Sequence, residues 1–285
     1  MTYNPYSVQF LKSALQSNKL WLSSARGQNY LIDRNIAEKM ISYIPSSESL
    51  AVVEAGSGLG SLTNILAEKF KTYSIEIDGG IYTLLKQYLT NKNLVLINGD
   101  FLKFDPGSIQ EKQLFFISNT PYSIAGEIIR KFAEDEIFHE GLCMLQEEMV
   151  QRMSAAVSSP AYGPFTILCS HYLTVKKLFQ VGRQSFYPVP SVDSTVVHIS
   201  KKTSLIRQED FNIFLRKGFL ARRKTLLNNL KPLGFTPPGL EKMGINPALR
   251  PQDITPEQWE TLYRIYTEPQ RSGGMPAAKT LRAQK

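Results

Sequence analysis

Short apolar runs alternate with segments of helical periodicity along the first 200 residues of the 285-residue chain. Each run is bounded by polar or glycine-containing turns and predicts a buried β-strand, whereas apolar residues at three- and four-residue spacing predict helices. Strands that alternate with helices are typical of an α/β fold whose mostly parallel sheet carries helices on both faces. The predicted strands lie at residues 50–53, 72–75, 94–97, 114–117, 141–145, 171–181 and 195–199, and the predicted helices at 34–44, 62–70, 124–132 and 147–157.

The pattern changes after residue 200. Residues 201–208 have the composition of a linker, and an apolar stripe over 210–230 then predicts one long helix with a basic reverse face. Shorter helices follow, and Thr255 is the predicted N-cap of the last one. We therefore expect an α/β domain over residues 1–200, a small all-α domain over 201–270, and a disordered tail over 271–285.

The excess of positive charge is concentrated in the last third of the chain. Residues 1–200 contain 17 Lys and Arg against 18 Asp and Glu, whereas residues 201–285 contain 16 against 7. A basic region beside a nearly neutral domain is typical of nucleic-acid binding. A basic surface kept for solubility and a basic amphipathic helix on a membrane are the alternatives. The candidate nucleic-acid contacts are the cations of the predicted long helix, Arg216, Lys217, Arg222, Arg223 and Lys224.

Composition narrows the class of protein further. With 42% hydrophobic and 20% charged residues, the chain can bury a proper core. Neither a transmembrane run nor a secretion signal is recognisable, so we expect a cytoplasmic protein without membrane contact. The histidines and cysteines lack the spacing of metal ligands, so no metal site is expected. Cys143 and Cys169 lie in apolar segments and are expected to be buried free thiols.

A glycine-rich turn follows the first predicted strand of the α/β region. Its sequence is Glu54-Ala55-Gly56-Ser57-Gly58-Leu59-Gly60, and a helical pattern begins directly after it. Glycines let the backbone approach a ligand closely, and the following helix N-terminus presents N–H groups to a carboxylate or phosphate. The spacing differs from the G-x-G-x-x-G pattern of dinucleotide-binding proteins.

Acidic residues end the next two predicted strands. Glu76 stands where a ribose diol is bound in folds of this class, and Asp100 can accept a hydrogen bond from an adenine amino group. Carboxylates at the edge of a core are the alternative interpretation. Together with the glycine turn, the two acids predict a nucleoside-bearing cofactor.

The motif Asn119-Thr120-Pro121-Tyr122 follows the fourth predicted strand. The Asn119 amide oxygen and the Thr120 carbonyl can accept hydrogen bonds from the amine of a flat base, and Tyr122 offers a ring for stacking. A proline turn with a half-buried tyrosine is the simpler reading of these four residues. Phe186 opens a second aromatic-proline segment, which either faces the same base or is a stiffened turn.

In this combination and order, the sequence resembles the ribosomal RNA adenine N6,N6-dimethyltransferases over about residues 26 to 266. The C-terminal motif Gly244-Ile245-Asn246-Pro247-x-Leu249-Arg250-Pro251 is similar to that of the small-subunit (16S) enzymes. Thr120 is a departure, because the family usually has Leu or Ile there, and residues 1–25 have no counterpart that we can place. The segments that carry the resemblance are Gly27-Gln28-Asn29-Tyr30-Leu31, 54–60, Glu76, Asp100, 119–122, Phe186-x-Pro188-x-Pro190-x-Val192-Asp193-Ser194 and Arg222-Arg223-Lys224-Thr225-Leu226-x-Asn228-Asn229-Leu230.

The resemblance implies a Rossmann-like methyltransferase with a sheet of seven mostly parallel strands and a small C-terminal all-α domain. It implies S-adenosylmethionine as cofactor and, as substrate, two adjacent adenosines in a 3'-terminal hairpin of 16S rRNA in the small ribosomal subunit. It also implies a role in ribosome biogenesis, and we expect a monomer. Carried over by position, the catalytic residues are Asn119, Tyr122 and Phe186, and the cofactor site consists of Asn29, Leu31, Gly56, Glu76, Asp100 and Asn119.

Three other functions are compatible with parts of this pattern. A DNA or other amine methyltransferase shares the cofactor half of the motif set. A 23S rRNA adenine N6-methyltransferase of the macrolide-resistance type shares most of the motifs as well. A non-catalytic ribosome-assembly or transcription factor on the same scaffold would not need the acids Glu76 and Asp100 or the amide of Asn119.

Overall fold

The computed structural model describes residues 3–20, 29–47 and 49–271. The described chain forms two compact units, of which the first comprises residues up to Val150 together with Val175–Lys201. The second comprises Gln151–Thr174 and the residues from Lys202 onward. The segment 151–174, which the predicted boundaries assign to the first domain, thus groups with the C-terminal helices.

The first unit is built around a mixed sheet. Among the described residues, seven strands form it in the order β4-β3-β2-β5-β6-β9-β7, and a separate short ribbon pairs β1 with β8. Strands β2 to β6 pair in parallel with one another, whereas β9 pairs antiparallel with β6. The strands are β1 (Tyr30–Leu31), β2 (Leu50–Ala55), β3 (Lys71–Glu76), β4 (Leu94–Asn98), β5 (Gln113–Asn119), β6 (Phe138–Gln146), β7 (Leu173–Val181), β8 (Phe186–Tyr187) and β9 (Ser194–Lys201).

Helices connect the strands of the sheet and make up most of the second unit. Asp33 caps α2 as its sequence predicts, because the carboxylate accepts from the backbone N–H groups of Asn35 and Ile36. The helices are α1 (Val8–Ser17), α2 (Arg34–Ile41), α3 (Thr63–Lys69), α4 (Gly79–Tyr88), α5 (Ala125–Glu134), α6 (Glu147–Met153), α7 (Pro164–Tyr172), α8 (Gln208–Gly218), α9 (Leu226–Leu230), α10 (Pro237–Lys242) and α11 (Pro256–Arg271).

The sheet and its helices confirm the predicted α/β class and the mostly parallel strands. Apolar side chains from β2, β5, β6 and the helices α2 and α3 form one core cluster. The second unit has an aromatic core of its own, in which Phe214 packs edge-on against Trp259 and Phe211 lies against Tyr263. In the described residues, none of the helices has the length and apolarity needed to cross a membrane.

The predicted strand over 171–181 is wrong at its beginning. Helix α7 extends to Tyr172, and β7 begins only at Leu173. Pro164 in the first turn is compatible with a helix start, and the Thr166 hydroxyl accepts from the N–H of Gly163. His171 and Tyr172 continue the period-2 pattern of the strand in sequence, but they form the last turn of the helix.

The predicted long helix over 210–230 is also wrong, because it is two helices. Helix α8 ends at Gly218, where a Cβ atom would lie 2.5 Å from the Trp259 ring. Asn229 then holds the intervening loop, since its amide accepts from the N–H of Ala221 at 2.8 Å and donates to the Ala221 carbonyl at 3.1 Å. Thr225 caps α9 by accepting from the N–H of Asn228.

Two sequence-based predictions concern residues that the structure does not describe. The Gly27-Gln28 portion of the first motif and residues 272–285 of the predicted tail lie outside the described residues.

Cys143 and Cys169 are both free and buried, which confirms the expectation for the thiols. Burial raises the pKa of each thiol well above its ordinary value.

Candidate active site

A cavity of about 430 Å³ opens at the carboxyl ends of the parallel strands β2, β3 and β5. Strand β3 lies on one side of β2 and β5 on the other, so the order of the strands reverses at this point. In open α/β sheets such a reversal leaves a crevice in which ligands bind. The cavity is lined by residues of the first unit, among them Asn29, Gly56, Glu76, Asp100, Asn119 and Tyr122.

The glycine turn after β2 forms one wall of this cavity. Gly56, Gly58 and Gly60 have φ angles of +81°, +53° and +79°. Residues with a side chain rarely adopt this left-handed backbone conformation, so glycine is required for the shape of the turn. At Gly58 a Cβ atom would in addition lie 3.0 Å from the Tyr30 ring. The turn therefore presents bare backbone to the cavity.

Glu76 ends β3 opposite the glycine turn. Its Oε2 accepts from the N–H of Gly58 at 2.9 Å and its Oε1 from the N–H of Asp78 at 2.9 Å. A carboxylate has about four acceptor positions, so the backbone donors leave acceptor capacity for a ligand hydroxyl. The side chain is buried, and this burial raises the pKa of Glu76 above its ordinary value, although backbone hydrogen bonds from Gly58, Ile77 and Asp78 oppose the shift.

Asp100 and Ile77 form the adjoining part of the wall. The Asp100 Oδ1 accepts from the N–H of Leu102 at 2.9 Å, which caps the short turn 101–103 and fixes the carboxylate at the end of β4. Ile77 is 63% exposed although it is a large apolar residue, and it lines the same cavity. An acceptor beside an apolar surface suits a base that carries an amino group.

Asn119 lies at the point where β5 ends. Its Nδ2 donates to the Asn29 carbonyl at 3.3 Å, so the amide oxygen Oδ1 points away from that carbonyl. The N–H of Thr120 donates to the Met144 carbonyl at 3.2 Å and ties the following backbone to β6. Pro121 has a φ of −57° and fixes the direction in which the chain leaves the sheet.

Tyr122 is the last residue of this motif, and its side chain is anchored through the hydroxyl group. Its hydroxyl is 3.0 Å from the Ser194 Oγ, at the start of β9. Burial raises the pKa of the Tyr122 phenol, so the hydroxyl remains protonated at neutral pH. A ring that is held through its hydroxyl keeps its face available to a partner in the cavity.

The structure buries two residues that were expected in this site. Phe186 is 1% exposed and belongs to the core cluster, and it is not among the described residues that line the cavity. Leu31, its partner in the β1–β8 ribbon, is also fully buried in that cluster. Both side chains point into the core because the ribbon packs against it. The neighbouring Tyr30 lines the cavity instead.

Comparison with known proteins identifies the family. The family model for ribosomal RNA adenine dimethylase matches residues 22–268.

The chain belongs to the ribosomal RNA adenine dimethylase family.

Individual relatives agree with this assignment. The chain is 36% identical to the ribosomal RNA small subunit methyltransferase A of Malacoplasma penetrans, over 86% of this chain and 92% of that protein. It is also 36% identical to the protein of the same name from Borreliella afzelii, over 81% and 83%. Among solved structures, a dimethyladenosine transferase from Plasmodium falciparum is similar with a TM-score of 0.69 and 26% identity, over 83% of this chain and 96% of that one.

S-adenosylmethionine is the cofactor expected of this dimethylase, and the cavity fits it. A volume of about 430 Å³ lies within the usual range for a small-molecule site. The wall offers the groups that a charged nucleoside needs: bare backbone, two carboxylates and an exposed Ile77. In the described residues, no group of three or more His, Cys, Asp or Glu is arranged to hold a metal ion.

Glu54 is a feature of this dimethylase site that the sequence analysis did not single out. Its Oε2 accepts hydrogen bonds from Thr63 Oγ1 at 2.6 Å and from Ser74 Oγ at 2.5 Å. Burial raises the pKa of Glu54 to about 7, although these hydroxyl donors oppose the shift. The only sign of this in the sequence is an acidic residue inside an apolar strand. Its role depends on hydroxyl groups that other segments of the chain place beside it.

The second unit carries the basic residues that the sequence analysis singled out. Arg216 lies near the end of α8, and Arg222, Arg223 and Lys224 are exposed on the loop before α9, whereas Lys217 is partly buried. The Arg222 guanidinium donates to the Pro160 carbonyl at 3.2 Å, which orders this side chain. In the dimethylase the loop is thus a fixed basic surface and not one face of a continuous helix.

Proposed function

We propose that the protein transfers methyl groups from S-adenosylmethionine to N6 of two adjacent adenosines in a 3'-terminal hairpin of 16S rRNA. The chain belongs to the rRNA adenine dimethylase family, and it is an S-adenosylmethionine-dependent methyltransferase. Its substrate is the small ribosomal subunit, and it acts in ribosome biogenesis in the cytoplasm. The single observation that carries the proposal is the convergence of Glu76, Asp100 and Asn119 on one cavity.

In this proposal the cofactor lies along the carboxyl edge of the sheet. Glu76 accepts hydrogen bonds from the ribose hydroxyls through the lone pairs that the backbone donors leave available. Asp100 accepts from the adenine amino group, and Ile77 packs against the ring. The bare backbone at Gly56 and its neighbours passes along the methionine part. Asn29 also lines the cavity and adds polar contacts.

The target adenine enters beside Asn119. The N6 lone pair of adenine is delocalised into the ring and is a poor nucleophile. Asn119 Oδ1 and the Thr120 carbonyl accept hydrogen bonds from the two N6–H groups, which favours a pyramidal nitrogen whose lone pair is directed at the methyl group. When bound there, S-adenosylmethionine would supply an electrophilic methyl group on a sulfonium. The two acceptors would hold N6 in place while it gains that methyl group and gives up one proton to water.

Positioning and electrostatic complementarity supply most of the catalysis in this scheme. Neither the Asn119 motif nor its hydrogen-bond partners include a strong base, so none is assigned. Tyr122 stacks on the flipped-out adenine with its ring held by the Ser194 contact. Phe186 has no part in this stack, because the core holds its side chain.

The basic loop of the second unit binds the RNA backbone. Arg222, Arg223 and Lys224 are exposed there, and Arg216 and Lys217 precede them on α8. Contacts between cations and phosphates are sequence-independent and strongly salt-dependent. The loop therefore supplies affinity, and the cavity of the first unit selects the base.

Methyl transfer to isolated subunits tests the proposal directly. Unmethylated small and large ribosomal subunits are incubated separately with the protein and with radiolabelled S-adenosylmethionine. We expect label in the RNA of the small subunit and none in that of the large subunit. Label in the large subunit would favour the 23S alternative. Binding of S-adenosylmethionine without transfer to either subunit would favour a non-catalytic assembly factor.

A further inference from the structure

The N-terminal segment 3–17 lies before the residues that match the family, which begin at 22. Its helix α1 starts at the N-cap Ser7, whose hydroxyl accepts from the N–H of Phe10. The apolar face of α1 packs against α4 and against Leu59 of the glycine turn. The segment is therefore a structured part of the first unit, in direct contact with the wall of the candidate active site.

Two tyrosine hydroxyls of this segment reach the glycine turn. The Tyr3 hydroxyl donates to the Leu59 carbonyl at 2.5 Å, and the Tyr6 hydroxyl donates to the Ser61 carbonyl at 2.6 Å. The two acceptors flank Gly60 in sequence, so the hydroxyls hold the turn on both sides of that residue. Burial raises the pKa of both phenols far above the ordinary value, so each remains a donor at neutral pH.

Gly60 fits between these two contacts only because it lacks a side chain. Its φ is +79°, and a Cβ atom there would overlap the Tyr3 hydroxyl. The Tyr3 ring is itself held from two sides, edge-on by Phe10 at 5.5 Å and stacked by Tyr88 at 5.4 Å between ring centroids. The donor is thus delivered from a rigid aromatic cluster and not from a freely rotating side chain.

We propose that Tyr3 and Tyr6 form a clasp that positions the glycine turn for cofactor binding. The inference rests on the proposed function, since the ligand of the turn is S-adenosylmethionine. A turn with several positive φ angles gives up much conformational freedom when it binds a ligand. Because the clasp orders the turn during folding, this loss of conformational freedom does not oppose cofactor binding.

The clasp acts on cofactor affinity and not on the chemical step. Neither tyrosine is among the described residues that line the cavity, and both act through the backbone carbonyls of Leu59 and Ser61. Loss of the hydroxyls therefore raises the Kd and KM of the cofactor. It leaves kcat and the KM of the RNA substrate unchanged, because Asn119 and the basic loop are not involved.

The experiment compares Tyr3→Phe, Tyr6→Phe and the double variant with the wild-type protein. Calorimetry with S-adenosylhomocysteine measures the cofactor site without turnover. We expect the Kd of the double variant to rise about tenfold, the effect of losing one or two ordinary hydrogen bonds. The matched control is Tyr162→Phe, which removes a buried hydroxyl that donates to the Ile254 carbonyl at 2.6 Å in the second unit.

The control separates positioning from general destabilisation. If the double variant binds S-adenosylhomocysteine as tightly as the wild type, the inference is overturned. A loss of affinity of similar size in Tyr162→Phe would equally overturn it, because any lost tyrosine hydroxyl would then act alike. The single variants, which keep one contact each, give the same comparison should the double variant not fold. Failure of the wild type to bind the ligand would contradict the proposed function and not the clasp alone.

Discussion

The Asn119 side chain donates a hydrogen bond to the Asn29 carbonyl, and this bond decides which of its two amide atoms points away from that carbonyl. Because Nδ2 donates to the Asn29 carbonyl, Oδ1 remains as the acceptor. The sequence alone predicts an acceptor at this position, since the residue follows a buried strand. It does not predict the orientation of the amide, which depends on a backbone carbonyl ninety residues away.

Replacement of Asn119 tests this assignment. We expect Asn119→Ala to lower kcat by about a hundredfold or more, because an uncharged acceptor for the N6–H groups is lost in the transition state. The affinity for S-adenosylhomocysteine should stay within about tenfold, since Glu76 and Asp100 are intact. Single-turnover methyl transfer and calorimetry measure the two quantities. Near-normal turnover would refute the role of Asn119.

Glu54 gives a prediction about stability and pH. Its pKa is raised to about 7 by burial, so the proton it binds stabilises the fold below the ordinary value of 4.5, and this contribution is lost as the pH rises through about 7. Glu54→Gln removes this titration. We expect the free energy of unfolding to fall between pH 5 and pH 8 by on the order of 3 kcal/mol more in the wild type than in the variant. Urea unfolding of both proteins without ligand measures the difference.

Two equal pH profiles would show that Glu54 titrates normally. Other groups that titrate in this range are common to both proteins, so they cancel in the comparison. His171 is one of them, with a pKa that burial lowers from its ordinary value. The difference between the profiles therefore isolates the carboxyl group beneath the glycine turn.

At the scale of elements, the ends of the strands were predictable and the ends of the helices were less so. Glu76 at the end of β3 and Asp100 after β4 follow apolar runs that predict strands, and parallel strands bring their carboxyl ends together. The break between α8 and α9 depends instead on contacts made by Trp259 and Asn229. Trp259 lies outside the apolar stripe, and Asn229 is equally compatible with a continuous helix, so neither residue marks the break in the sequence. Such tertiary contacts override a local pattern.

Phe186 is a second residue whose environment depends on tertiary contacts and could not be predicted from the local sequence. Its position in an aromatic-proline segment suggested a stacking role, yet the β1–β8 ribbon directs its side chain into the core. Pairing with Leu31, far away in sequence, sets that direction. A strand register shifted by one residue would have reversed it.

The basic loop between α8 and α9 gives a prediction about RNA. Charge reversal at Arg222 and Arg223 should weaken binding of the small-subunit RNA and reduce the slope of log Kd against log salt by about 2, one for each lost phosphate contact. The matched control reverses Lys231 and Lys242, which are also exposed in the second unit but lie outside the loop. Filter binding over a salt series measures all three proteins.

An unchanged slope in the Arg222 and Arg223 variant would place the phosphate contacts elsewhere. Equal losses in the two double variants would mean that net charge matters and the position of the cations does not. The proposal requires the first variant to lose slope and the control to retain it.

At the scale of the whole molecule, the distribution of charge and the two compact units indicate a division of labour. The cavity lies within the first unit, and the predicted RNA cations lie in the second. The last of the three crossings between the units lies after Lys201, next to the boundary that the sequence predicts near residue 200. The excursion of 151–174 was not predictable, because no composition change marks its ends and its packing partners are the helices that follow residue 202.

The most direct measurement is the identity and position of the methylated nucleoside. Small subunits that lack the modification are treated with the protein and S-adenosylmethionine, and nuclease fragments of their 16S rRNA are analysed by mass spectrometry. The account predicts N6,N6-dimethyladenosine at two neighbouring positions of the 3'-terminal hairpin, and its loss with Asn119→Ala. Methylation of another base or at another atom, or an unmodified hairpin after treatment with folded, cofactor-binding protein, would contradict it.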